Sequence, residues 1–182
     1  MQLLKLANSE GIWMTITTVF LDRDGTIGGD GHYTAVEGFV PYAGSVEAIN
    51  QLKSVGIKVL ALTNQTKIAA GKMCATELRE SLLDLGCDAV FICPHAESDN
   101  CFCRKPRTGL IVQAQSQFRF RSDQAVIIGD SYRADMQCAT NAGIRGIHVA
   151  TGRGNAGRDT VEGKFIEQVD LAAAARWILA HA

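Results

Sequence analysis

The sequence predicts an α/β fold, a three-layer α/β/α sandwich built on a mostly parallel central sheet. Three observations predict it. Short apolar runs such as Val19-Phe20-Leu21 and Val59-Leu60-Ala61-Leu62 do not alternate with polar residues, the pattern of strands buried on both faces. Stretches with apolar residues every three or four positions stand between these runs, as helices crossing back over a sheet would. Polar residues then cluster directly after several of the runs, at the strand ends where open α/β sheets place their sites.

The elements follow in order. Ile16–Leu21 reads as the first strand. Residues 27–42 form a loop with glycines and aromatics, too short for a large cap domain. A helix over Ser45–Ser54 turns Val46, Ile49, Leu52 and Val55 inward, and Gly56 stops it. Ile57–Leu62 is the second strand and runs into Thr63-Asn64-Gln65. A helix over 74–85 faces Leu78, Leu82 and Leu85 inward and ends at Gly86. Ala89–Ile92 is the third strand. A helix over 108–117 follows Pro106, and Ala125–Ile128 is a strand ending in Gly129-Asp130. A helix over 131–141 closes on Gly143, and Gly146–Val149 is the fifth strand. Thr151–Gly163 reads as a flexible connection, and Leu171–Ala180 as a final helix that packs Leu171, Ala175, Ile178 and Leu179 on the sheet.

The 182 residues suit one domain with a full core, taken as 1–182. Residues 1–13 read as a peripheral extension to a core over 14–182, with Met14 a candidate natural start. Hydrophobic content of 47% and a net charge of -1 argue against disorder and against a basic surface for nucleic acid. No stretch approaches the roughly 18 apolar residues of a membrane span. The N-terminus lacks the basic-then-apolar order of a secretory signal. A cytoplasmic protein is expected, with a monomer favoured. The six cysteines fit metal ligation plus buried thiols, with Cys74, Cys87 and Cys138 in or beside apolar elements, better than disulfides.

The chemistry concentrates at four strand exits: Asp22 and Asp24, Thr63 and Asn64, Arg104 and Lys105, Asp130 and Asp135. In a parallel sheet these lie on one edge. Carboxylates, a hydroxyl, an amide and two cations suit Mg²⁺ together with a phosphate. Asp22, first after the strand, is placed to attack phosphorus and form an aspartyl phosphate. Asp24 then protonates the leaving oxygen and activates the hydrolytic water. The metal rests on Asp22, the main-chain carbonyl of Asp24 and Asp130, while Thr63 and Lys105 hold the transferring phosphoryl oxygens. Arg104 contacts the phosphate or a sugar hydroxyl, and Asp135 orients Lys105 without touching the metal. No GxxxxGK[ST] stretch is present, which argues against a nucleotide-loop ATPase. His148, inside a strand, reads as structural.

A second constellation is Cys93-Pro94-His95, followed after five residues by Cys101-Phe102-Cys103. Three thiolates and an imidazole make a closed tetrahedral Zn²⁺ site of structural type. Zinc there orders a zinc loop over 93–103 and fixes where Arg104 and Lys105 point.

With these motifs in the order Asp22-Arg23-Asp24-Gly25-Thr26, Leu62-Thr63-Asn64-Gln65, Arg104-Lys105-Pro106 and Ile128-Gly129-Asp130, the sequence resembles the haloacid dehalogenase (HAD) superfamily over residues 16–150. The resemblance implies the same roles for Asp22, Asp24, Thr63, Lys105 and Asp130. The Cys-Pro-His and Cys-x-Cys-Arg-Lys-Pro segments are similar to the small capless branch that holds heptose-bisphosphate phosphatases and histidinol-phosphatases. That branch implies a small phosphorylated metabolite as partner, with heptose 1,7-bisphosphate first and histidinol phosphate as the alternative. A zinc-stabilised HAD-like binding domain without turnover is the reading from another class. Thr66-Lys67 and Ala70 differ from the heptose enzymes' pattern, so the substrate stays open while the reaction class holds.

Overall fold

The computed structural model describes residues 5–7 and 13–181, with side chains from Thr15 onward. Two short strands, β1 (Lys5–Ala7) and β2 (Trp13–Thr15), pair antiparallel in a sheet of their own. Much of the expected N-terminal extension lies outside the described residues, and its described part is this ribbon. The main sheet has six strands: β3 (Thr18–Leu21), β4 (Lys58–Asn64), β5 (Ala89–Cys93), β6 (Ala125–Gly129), β7 (Arg145–Val149) and β8 (Ile166–Gln168). Their spatial order is β5-β4-β3-β6-β7-β8, and every neighbouring pair is parallel.

The chain moves outward from β3 through β4 to β5, then returns to β3's other side and moves outward again. The winding therefore reverses between β3 and β6, and the crevice above that reversal is where such sheets take ligands. Asp22 follows β3 and Asp130 follows β6, so the reversal sets two carboxylates side by side.

Helices α1 (Ser45–Ser54), α2 (Ala75–Asp84) and α5 (Leu171–Ala180) cover one face. Val19 and Leu21 pack there with Ile49, Leu52, Leu78, Leu82 and Ile178. Helices α3 (Gly109–Phe118) and α4 (Gln137–Ala142) cover the other, where Phe20 packs with Leu60, Leu62, Leu110, Ala114 and Ala139. Burial on both faces is why β3 reads as an uninterrupted apolar run. No helix or strand interrupts the segment from β3 to α1, so the large cap is absent there as expected. Among the described residues no helix is long and apolar enough to cross a membrane.

The structure corrects several local expectations. Val46 and Val55 are exposed, and α1 buries Ser45 and Ala48 with Ile49 and Leu52. A strict three-residue spacing drifts around a helix of 3.6 residues per turn, so its ends leave the core. Cys74 is exposed, unlike Cys87 and Cys138. The sixth strand, β8, was not foreseen: its three residues, Ile166-Glu167-Gln168, carry one apolar side chain. The helix expected over 131–141 begins instead as a π-helical turn over Tyr132–Met136 before α4. Such wide turns cluster at functional sites, and this one carries Asp135.

Candidate active site

Lys105 is the hub. Its side chain is buried, and Nζ lies 2.6 Å from Asp22 Oδ1, 2.6 Å from Asp135 Oδ1 and 2.6 Å from the Leu62 carbonyl oxygen. An ammonium has three hydrogens, so all are engaged. Burial alone would lower the Lys105 pKa, but the charges of Asp135 and Asp22 outweigh it and hold the lysine above its ordinary value. Asn64 sets where this lysine starts. Its amide accepts from Lys105 N at 3.0 Å and donates to Lys105 O at 3.0 Å. Both ends of the Asn64 amide are thus engaged by the Lys105 main chain.

Both carboxylate oxygens of Asp24 are occupied. Oδ1 accepts from Arg23 Nη1 at 2.7 Å, and Oδ2 accepts from Gln65 Nε2 at 2.6 Å. The same Gln65 nitrogen is 3.1 Å from Thr63 Oγ1. Burial raises the Asp24 pKa, the Arg23 charge offsets part of this, and Asp22 adds to it. A carboxyl biased toward its protonated form suits a proton donor.

Asp130 is buried, and its Oδ2 accepts from Arg153 N at 2.9 Å. Burial, followed by the charges of Asp22 and Asp135, pushes its pKa up to about 8. Oxygens of Asp22, Asp130 and Asp135 all lie within 4.8 Å of one another. Asp135 has both oxygens occupied, Oδ1 by Lys105 and Oδ2 by Ser131 N at 3.1 Å. Asp22 and Asp130 are therefore the two of the three that could share a divalent cation, and hard oxygen donors at this density would suit Mg²⁺. Glycines make room for them: a Cβ at Gly25 or Gly152 would stand 2.2 or 2.3 Å from Asp130 Oδ2, and both have positive φ.

Asp22, Asp24, Lys105, Asp130 and Asp135, together with Thr63 and Arg104, line one cleft of about 390 Å³. Arg104 differs from Lys105 in that its Nη1 is buried with no protein partner. A desolvated donor at a cleft wall is costly unless a ligand atom meets it. Sequence reasoning missed several contributors. Arg23 is fully buried, stacks 4.0 Å over the Phe39 ring and donates to Thr34 O at 2.8 Å. Its only sequence signal is its place between the two aspartates. Arg153, in the segment read as flexible, reaches back to Asp130 and donates from Nε to Gly31 O at 2.8 Å, while Thr151 Oγ1 donates to Gly25 O at 2.6 Å. The glycines of Thr151-Gly152-Arg153-Gly154 were the signal, since they permit a close approach. His32, Tyr33 and Arg133 also line the cleft. Lys67 lies with Nζ 5.2 Å over the Tyr33 ring.

The four residues expected to bind zinc converge at the end of β5. Cys93 Sγ is 3.5 Å from Cys101 Sγ, Cys101 Sγ is 3.6 Å from Cys103 Sγ, and His95 Nδ1 is 3.2 Å from Cys103 Sγ. Burial raises the Cys93 thiol to about 12. Burial also pulls Cys101 upward, but hydrogen bonds from Cys93 and Cys103 outweigh it and bring Cys101 down to about 7. The cluster is tied to the cleft through Gln65 N, which donates to Cys93 O at 2.8 Å.

A HAD-hydrolase-like family model matches residues 102–172. The D-glycero-beta-D-manno-heptose-1,7-bisphosphate 7-phosphatase of Helicobacter pylori is 36% identical over 142 residues, covering 72% of this chain and 82% of that one. The enzyme of the same name from Yersinia pestis is 34% identical over 183 residues, covering 91% and 90%. The crystal structure of D,D-heptose 1,7-bisphosphate phosphatase from B. bronchiseptica, complexed with magnesium and phosphate, superposes with a TM-score of 0.81 at 29% identity, covering 92% of this chain and 100% of that one. With the HAD fold and this likeness along most of both chains, the protein belongs to the heptose-bisphosphate phosphatase family of the HAD superfamily.

Proposed function

We propose that the protein hydrolyses a phosphomonoester of a small sugar phosphate through an aspartyl phosphate on Asp22, with D-glycero-D-manno-heptose 1,7-bisphosphate the leading substrate. The observation that carries this is Asp22 held by Lys105 beside Asp130 at the reversal of the sheet, in a cleft whose wall carries the unpartnered Arg104. Asp22 and Asp130, with the main-chain carbonyl of Asp24, would hold Mg²⁺. When bound, that ion offsets the negative charge of nucleophile and phosphate.

The chain's own residues do the rest. An Asp22 oxygen attacks phosphorus, the P–O bond to the sugar breaks, and Asp24 gives its proton to the departing oxygen. As Asp22 becomes an acyl phosphate it loses its charge, and Lys105 turns one hydrogen toward a phosphoryl oxygen. Thr63 and Arg104 hold the others. Asp24 then takes a proton from water, the water oxygen attacks phosphorus, and Asp22 returns as a carboxylate. Histidinol phosphate is the second substrate to test, because the Cys-Pro-His and Cys-x-Cys-Arg-Lys-Pro segments are similar to those of histidinol-phosphatases as well. Phosphate release with Mg²⁺ should be measured on heptose 1,7-bisphosphate, other sugar phosphates and histidinol phosphate. Highest kcat/KM on the heptose bisphosphate supports the reading. No release from any of them favours the binding-domain alternative.

The cysteine–histidine cluster is proposed as a structural Zn²⁺ site, and its free thiols suit a reducing cytoplasm. The zinc would brace the loop that delivers Arg104 and Lys105. Cys101→Ser is expected to lose bound zinc and to lower the melting temperature by about 5 °C or more, since a structural zinc contributes folding energy directly. Elemental analysis and thermal melts read both. A zinc-free wild-type protein prepared with zinc present would remove the assignment.

A further inference from the structure

Asp130 is gripped from behind by a closed ring of polar contacts. His148 in β7 is buried, and its Nε2 lies 3.1 Å from the Asp130 main-chain oxygen. A carbonyl oxygen only accepts, so Nε2 carries the hydrogen. On the ring's other side, Nδ1 lies 3.0 Å from Glu167 Oε2. His148 and Glu167 are register partners across β7 and β8, which brings their side chains to the same face. Glu167 also accepts from the Tyr132 hydroxyl, which is 2.8 Å from each carboxylate oxygen. Tyr132 is buried, and its ring stacks on that of His148 with centroids 4.0 Å apart.

Tyr132 lies two residues after Asp130 and opens the π-helical turn that carries Asp135. The ring thus runs from the Asp130 carbonyl through His148, Glu167 and Tyr132, and back along the main chain to Asp130. It holds both ends of the short segment that aims Asp130 forward and Asp135 toward Lys105. A peptide fixed at one end only could rotate its carboxylate, and a metal ligand needs a fixed direction to meet a cation.

We propose that His148, Glu167 and Tyr132 are positioning residues that fix Asp130 for the divalent cation. This rests on the reading of Asp22 and Asp130 as the Mg²⁺ carboxylates. Glu167 is half exposed, so replacing it leaves no large cavity.

The test is the Mg²⁺ dependence of the melting temperature, without substrate, fitted for an apparent dissociation constant. Wild type is compared with Glu167→Ala, Tyr132→Phe, Asp130→Asn and, as a control for lost stability alone, Asp88→Ala. Asp88 accepts from Val59 N at 2.8 Å near the opposite end of β4 and touches none of the ring. Glu167→Ala is expected to bind Mg²⁺ about tenfold more weakly, the usual scale for residues that orient metal ligands. Tyr132→Phe should weaken it several-fold, and Asp88→Ala should lower the metal-free melting temperature with Mg²⁺ affinity unchanged. If Asp130→Asn loses the Mg²⁺ response while Glu167→Ala and Tyr132→Phe keep wild-type affinity, the positioning role is overturned and the metal site stands. If Asp130→Asn keeps wild-type affinity, the metal-site reading fails and the ring's role fails with it.

Discussion

Asp22→Asn is expected to lower turnover by about 10⁴-fold or more, the scale seen when a covalent nucleophile is removed. The amide is poor at attacking phosphorus, and no other carboxylate can replace it. Asp24 is turned toward Arg23 and Gln65, Asp135 is occupied by Lys105 and Ser131, and Asp130 is held by the Arg153 main chain. The fold should survive. Asparagine keeps the shape, and its carbonyl still accepts from Lys105. One of three crowded carboxylates loses its charge, which relieves repulsion. Circular dichroism and thermal melts should stay close to wild type while phosphate release disappears. Turnover within tenfold of wild type would exclude Asp22 as nucleophile.

Lys105→Met is expected to damage stability and activity together. The lysine pairs with Asp22 and Asp135 at 2.6 Å each in a buried site. Removing one partner from a buried charged cluster typically costs about 3–5 kcal/mol, because the remaining charges are left unpaired. The loss should depend on pH, and its sign follows from the shifts. Lys105 has a raised pKa, so its contribution is fully present at neutral pH and is lost only far on the alkaline side. Burial already raises Asp135 to about 6, with the lysine opposing it. Without the lysine, Asp135 rises further and takes a proton at mildly acid pH. Denaturant melts should therefore show a large loss at pH 8 that shrinks toward pH 5. A loss of the same size at both values would mean that packing, not charge, accounts for Lys105's contribution.

Much of the architecture was legible because its signals are local. The unbroken apolar runs marked five of the six main-sheet strands, and the helix spans differ from expectation mostly at their ends. β8 escaped because three residues with a central glutamate carry no periodicity to read. The segment 151–163 looked flexible because its glycines and charges carry no apolar periodicity. Its anchors, Gly25, Gly31 and Asp130, lie more than a hundred residues away for the first two and over twenty for the third.

Residue order by itself determined that polar groups would follow Leu21, Leu62 and Gly129, since each apolar run stops there or one residue before. It also determined the composition of the cysteine–histidine cluster, since two short paired motifs can close on one ion. Only the tertiary structure decided how each group is used. It assigned all three hydrogens of Lys105, left Arg104 with a free donor, turned Asn64 to the lysine's main chain and buried Arg23 against Asp24. The physical reason is that a hydrogen bond depends on direction as well as proximity. Direction at this site is set by segments that meet only when the sheet reverses its winding between β3 and β6.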